Sequence, residues 1–124
     1  MSLTNSIRGV DALDVGDDDV EALVTEVRTE DGAIVIYVTG EIDMATCEQF
    51  RDAIEPHMGP AQTIVLELSG VRFMDSASLH VLLQARGTLT ADGGSLKLRN
   101  PSTAAHRLLT AANLQHLLDE QAAD

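Results

Sequence analysis

The chain has 124 residues, enough for one domain with a core of its own and too few for a second. Its 8 basic residues against 20 acidic ones give a net charge of -12, which repels phosphate backbones and anionic lipids within a Debye length of roughly 8 Å, so neither direct nucleic-acid binding nor membrane binding is expected. A lone cysteine, Cys47, excludes an internal disulfide or thiolate cluster, and His57, His80, His106 and His116 follow no metal-ligand spacing, so no metal and no cofactor is expected.

Phe50, Phe73 and Tyr37 are the only aromatics, so aliphatic side chains must fill the core. The apolar runs at 34–38 and 80–83 fall far short of the roughly 18 residues that cross a bilayer. The opening MSLTNSIRGVDAL has no signal-peptide pattern, and a cytoplasmic protein is expected.

Along the chain, DALDVGDDDVE at 11–21 carries carboxylates and no base, which predicts a flexible acidic tail over 1–20 followed by one domain over 21–120. LVTEVRT at 23–29 and AIVIYVTG at 33–40 read as strands joined at Glu30-Asp31-Gly32, a hairpin signal. Cys47, Phe50, Ile54 and Met58 then recur at helical spacing. Asp43 or Thr46 caps that helix, Thr46 with Gln49 as a capping box, and Gly59-Pro60 follow its end. QTIVLEL at 62–68 is a central strand, with a turn beginning at Ser69-Gly70.

A second helix starts near Ser76, with Leu79, Leu82, Leu83 and Leu89 on its apolar side and Asp92-Gly93-Gly94 as its stop. SLKLR at 95–99 is a short strand. Asn100-Pro101 then opens a helix through STAAHRLLTAA, with proline in its first turn, Ala105, Leu108, Leu109 and Ala112 as its buried stripe and Asn113 as its left-handed end. The order β-β-α-β-α-β-α predicts a single α/β domain: a mixed sheet of four to five strands with helices packed on it.

The stretch FMDSASLH at 73–80 allows three chemical readings. A serine nucleophile would use Ser76 with His80 one helical turn on, but the G-x-S-x-G elbow and a base-orienting group are missing, so an enzyme is not expected. A structural reading has Asp75 or Ser76 accept a hydrogen bond from the helix N-terminus, worth ~1 kcal/mol. A third reading makes a serine a modification switch, since a phosphate adds roughly -1.5 to -2 charge units where a neutral hydroxyl stood.

The segment IVLELSGVRFMDSASLHVLLQA at 64–85 resembles the phosphorylatable strand, loop and helix of bacterial anti-sigma factor antagonists, whose fold is the STAS domain. GEIDMATCEQF at 40–50 is similar to that family's G-E-L-D motif, and NPSTAAHRLLTAANL at 100–114 to its third helix, so the resemblance spans roughly residues 20–118 in the right order. It implies that Ser76, directly after Asp75, accepts phosphate from an anti-sigma factor with serine kinase activity, with Ser78 ranking second as acceptor. It also implies that the unphosphorylated form binds that partner and frees a sigma factor, and that a serine phosphatase restores this form. The implied contact residues are Asp43, Thr46, Arg72, Met74, Asp75, Ser76, Ser78 and His80, on a protein expected to be monomeric. Ala77-Ser78 and His80 depart from the family's usual serine and glycines, and Glu67 stands where aspartate is common. The alternative within the same fold is a scaffold or sensor that binds a nucleotide, a lipid or other STAS chains.

Overall fold

The computed structural model describes residues 22–118, so the acidic tail expected over 1–20 lies outside the described residues. Strands β1 (Leu23–Glu30) and β2 (Ala33–Ile42) form an antiparallel hairpin closed by Glu30 opposite Ala33. Asp31 (φ 52°) and Gly32 (φ 82°) both take the left-handed conformation, the type I′ pairing whose twist matches that of the strands. Then come α1 (Cys47–Ile54), a 3-10 turn (Glu55–His57), β3 (Thr63–Met74), α2 (Ser76–Ala91), β4 (Ser95–Arg99), α3 (Thr103–Ala111) and a last 3-10 turn (Gln115–Leu117). The sheet order is β1-β2-β3-β4, with β2, β3 and β4 parallel, which is the mixed α/β arrangement expected, with four strands among the described residues.

Strand alternation divides the sheet into two unlike faces. Ile36, Val38, Ile64, Leu66, Leu68, Leu96 and Leu98 lie on one face and join Phe50 and Ile54 of α1, Val81, Leu82 and Leu89 of α2, and Ala105 and Leu109 of α3 in a single core. The opposite face carries two buried valines, Val35 and Val65, and is otherwise mostly polar. There Glu67 is buried and accepts hydrogen bonds from Arg99 Nε at 2.7 Å and Asn100 Nδ2 at 3.1 Å, while the Tyr37 hydroxyl bonds the Glu30 carboxylate. Burial acts to raise the Glu67 carboxyl, but the hydrogen bonds, that from Arg99 foremost, outweigh it and hold the group below its ordinary range. The Glu30 carboxyl is lowered too, first by the hydrogen bond from Tyr37.

The largest departure from the sequence reading is β3. Its strand does not end before a turn at Ser69-Gly70 but runs on to Met74 beside β2. A Cβ at Gly70 would meet Thr39 Oγ1 at 2.8 Å and Val38 O at 3.1 Å, so the glycine permits close approach of two strands and marks no turn. The register slips between Tyr37 and Thr39 and again between Gly40 and Glu41, and the second slip leaves Arg72 between the paired Val71 and Phe73. These bulges break the inside-outside alternation, which is why the segment reads as a loop.

The helix ends differ in detail as well. Gln49 forms no capping box with Thr46; its Nε2 donates to Leu23 O at 2.9 Å and ties α1 to the start of β1. Leu83 is exposed, and α2 buries Ser78, Val81, Leu82, Ala85 and Leu89 instead. In α3, Ser102 is the cap, accepting from Ala105 N at 3.1 Å, so Pro101 precedes the helix and does not fill its first turn. Ala112 is exposed, whereas Asn113 (φ 63°) ends α3 as expected. Leu114 N–H to Leu109 O (2.7 Å) and Asn113 N–H to Thr110 O (3.0 Å) complete a Schellman motif there.

Candidate functional site

The ends of β2 and β3 lie side by side, with Ile42 paired to Met74, and both side chains are buried there. The chain leaves each strand through a tight polar structure. After β2, the Asp43 carboxylate accepts from Ala45 N at 2.9 Å and Thr46 N at 3.1 Å, while Thr46 Oγ1 accepts from Asp43 N at 2.9 Å and donates to Glu41 O at 2.8 Å. Asp43 thus organises the entry to α1, and Thr46 is buried beneath it.

After β3, Asp75 N donates to Ile42 O at 3.2 Å, which binds the two exits together. Asp75 is the N-cap of α2: its carboxylate accepts from Ser78 N at 3.2 Å, and Ser78 Oγ accepts from Asp75 N at 3.1 Å. This reciprocal box satisfies donors that the first turn of a helix otherwise leaves orphaned. Of the two residues named as structural caps from sequence, the role falls to Asp75.

The cap separates the two serines. Ser78 is fully buried, its hydroxyl committed on both sides to Asp75. Ser76 occupies the first position of α2, is exposed, and makes no side-chain hydrogen bond among the described residues. Its hydroxyl stands at the positive end of a 16-residue helix. His80 is exposed one turn along α2, and no hydrogen bond joins it to Ser76.

The sequence-derived contact residues therefore sort by exposure. Ser76, His80 and Arg72 reach the surface, Asp43 and Asp75 are half-buried, and Thr46, Met74 and Ser78 are buried. Arg72 stands on β3 at its bulge and not in a loop. Two apolar residues that sequence reasoning passed over stand beside this group. Met44, in the turn shaped by Asp43, is 80% exposed, and Phe73, paired with Glu41 and just before the α2 cap, is 48% exposed. Only the pairing with β2 reveals Phe73, since the register slip at Arg72 turns two successive side chains outward.

A groove of about 470 Å³ runs between α1 and α2, lined by residues that include Arg51, Ile54, Met58 and Val81, and a shallow surface at the start of α3 is lined by Ser102, His106 and Arg107; neither includes Ser76 or His80. Among the described residues no group of His, Cys, Asp and Glu is arranged to hold a metal ion, and no helix is long and apolar enough to cross a membrane. An exposed hydroxyl at a helix start, flanked by carboxylates and apolar side chains, is suited to being recognised by another protein.

Known proteins share this fold. The family model described as Mlab, STAS domain matches residues 25–119. An anti-sigma F factor antagonist of Lysinibacillus sphaericus is 32% identical over 97 residues, covering 73% of this chain and 83% of that protein. The crystal structure of an anti-sigma factor antagonist from Mycobacterium paratuberculosis superposes with a TM-score of 0.69 at 28% identity, covering 77% of this chain and 82% of that one. The Bacillus cell fate determinant SpoIIAA, solved in its phosphorylated form, has a TM-score of 0.62 at 26% identity, with 82% of this chain and 97% of that chain covered.

Proposed function

The chain belongs to the STAS domain family, and on that premise we propose that it is an anti-sigma factor antagonist, a binding module with no catalysis of its own. Unphosphorylated, it binds an anti-sigma factor that has serine kinase activity, and a sigma factor is released. Phosphate on Ser76 ends that binding, and a serine phosphatase restores it. The observation that carries this reading is the exposed Ser76 hydroxyl at the first position of α2, without a side-chain hydrogen bond among the described residues, beside a cap already completed by Asp75 and Ser78. The existence of a phosphorylated form of SpoIIAA supports it.

The physics of such a switch is local. Asp75 and Asp43 flank the site, so a phosphate there adds to an already negative surface, and its oxygens enter a contact formed with a neutral hydroxyl. The helix end tolerates the anion within the free chain, so no refolding is needed. A loss of about 3 kcal/mol weakens affinity more than a hundredfold. The residues that meet the partner are then Asp43, Arg72, Asp75, Ser76 and His80, joined by Met44 and Phe73, with Thr46, Met74 and Ser78 supporting them from beneath.

The test is incubation of the purified chain with a kinase-type anti-sigma factor and ATP, followed by mapping of the phosphate and titration of the partner. Phosphate is expected on Ser76, with Ser76→Asp binding the partner at least a hundredfold more weakly than the wild type. Phosphate absent from Ser76, or Ser76→Asp binding as tightly as the wild type, overturns the proposal.

A further inference from the structure

Strand β1 forms one end of the sheet and, among the described residues, pairs with β2 alone. Its sequence LVTEVRTE contains no proline or lysine and its register with β2 is unbroken, so of the usual features that blunt an edge it carries only its charged side chains. Val24 and Val27 are 48% and 40% exposed.

The direction of the free backbone groups follows from the hairpin. A two-residue type I′ loop is closed by a hydrogen-bonded pair, here Glu30 and Ala33, so Val24, Glu26, Arg28 and Glu30 turn their N–H and C=O groups toward β2. Glu41 N–H to Ala22 O, at 2.7 Å, continues this even-numbered set. Thr25, Val27 and Thr29 therefore point their backbone groups away from the sheet, as does Leu23, whose carbonyl is taken by Gln49.

We propose that this edge pairs with itself: two copies of the chain join antiparallel about a two-fold axis at Val27, merging two four-stranded sheets into one. On this axis Val27 faces the second copy's Val27 and Thr25 faces its Thr29, which aligns the outward groups for about six backbone hydrogen bonds. Glu26 faces the second copy's Arg28, and the reverse pair repeats across the axis. Within one chain Arg28 Nη2 already lies 2.8 Å from Glu26 Oε2 on the same sheet face, so the dimer builds a cluster of alternating charge. An axis at Thr25 or Thr29 pairs fewer residues and leaves Glu26 opposite no cation. The charges that shield this edge from other strands are thus complementary to the edge itself. This pairing rests on β1 alone and is independent of the role of Ser76; it gives a dimer where the sequence predicts a monomer.

Sedimentation of the full chain at physiological salt, from about 1 μM to about 1 mM, spans the range in which a small interface of this kind dissociates. The wild type is expected to pass from monomer to dimer within it. Glu26→Arg and Arg28→Glu each place like charges face to face and are expected to weaken association at least tenfold. The double exchange E26R/R28E puts opposite charges together again and is expected to restore it, with circular dichroism confirming that all variants fold. A wild type that stays monomeric throughout, single variants that associate unchanged, or a double variant no better than the singles overturns the proposal.

Discussion

Asp75 and Ser78 hold each other in a closed cap, carboxylate to backbone N–H in one direction and backbone N–H to hydroxyl in the other, with Ser78 entirely out of solvent. Ser76 sits between them in sequence and takes no part in the box.

The two serines should therefore separate experimentally. Ser78→Ala removes half of the box and leaves Asp75 N–H with its bond to Ile42 O alone, a loss of about 1 kcal/mol in urea unfolding. It leaves the Ser76 hydroxyl free to accept phosphate. Ser76→Ala changes stability by less than about 0.5 kcal/mol, as for an ordinary exposed position, and abolishes phosphate incorporation by a kinase-type partner. If the effects fell the other way round, with Ser78→Ala blocking modification at unchanged stability, the assignment of roles would be wrong.

Two glycines give a second contrast. Gly40 has φ 115° inside β2, and a Cβ there would run into the carbonyl of Ala22, which Glu41 N–H also engages. Gly40→Ala must strain the backbone and push β1 away, and a loss of about 3 kcal/mol is expected. Gly87 lies within α2 with open space around the position of its Cβ. Gly87→Ala should stabilise by about 0.5 to 1 kcal/mol, because alanine gives up less backbone freedom on entering a helix. Thermal or urea unfolding of the two variants checks both signs.

The polar sheet face predicts a dependence on pH. The Glu67 carboxyl is lowered in the folded chain, burial being overcome by hydrogen bonds led by that from Arg99, and Glu30 is lowered as well. A lowered group binds fewer protons folded than unfolded, so its contribution is full above the unfolded value of 4.5 and is lost as pH falls through the lower folded value. Stability should therefore fall below about pH 4.5, more steeply in the wild type than in Glu67→Gln. Near neutral pH, Glu67→Gln should cost about 2 kcal/mol, because Arg99 loses a charged partner in a half-buried site. Equal slopes in acid would show that this carboxylate is not the group responsible.

The hairpin, the order of elements and the helix stops were legible because each is encoded locally: Asp31-Gly32, the apolar spacing in α1, and Gly93 or Asn113 after a helix. Strand β3 beyond Leu68 was not, because its continuation depends on a non-local fit of Gly70 against Thr39 and on two bulges. The same failure concealed part of the site. Met74 looks available in a loop but is buried at the end of a strand, and Phe73, which the sequence did not single out, is turned outward by the bulge at Arg72. Ser78 reads as a substituted glycine at a contact surface, whereas its side chain works inward, completing the cap on Asp75.

The exposed pair Met44 and Phe73 carries the last prediction. Large apolar side chains left in water gain free energy when a partner covers them, at roughly 25 cal/mol per Å² of apolar surface removed from water. They flank the strand exits joined by Asp75 N–H to Ile42 O, so a partner seated on Ser76 also meets both. Met44→Ala and Phe73→Ala should leave stability within about 0.5 kcal/mol, since neither side chain joins the core. Each should weaken binding of a kinase-type anti-sigma factor about tenfold, a loss of about 1.4 kcal/mol. Because the kinase must dock before it transfers phosphate, modification of Ser76 should slow at low partner concentration and recover at saturation. Calorimetric titration together with phosphorylation rates at both concentrations checks this. If binding were weakened while the saturated rate fell as far as the unsaturated one, the two residues would be positioning the serine for transfer rather than anchoring the complex.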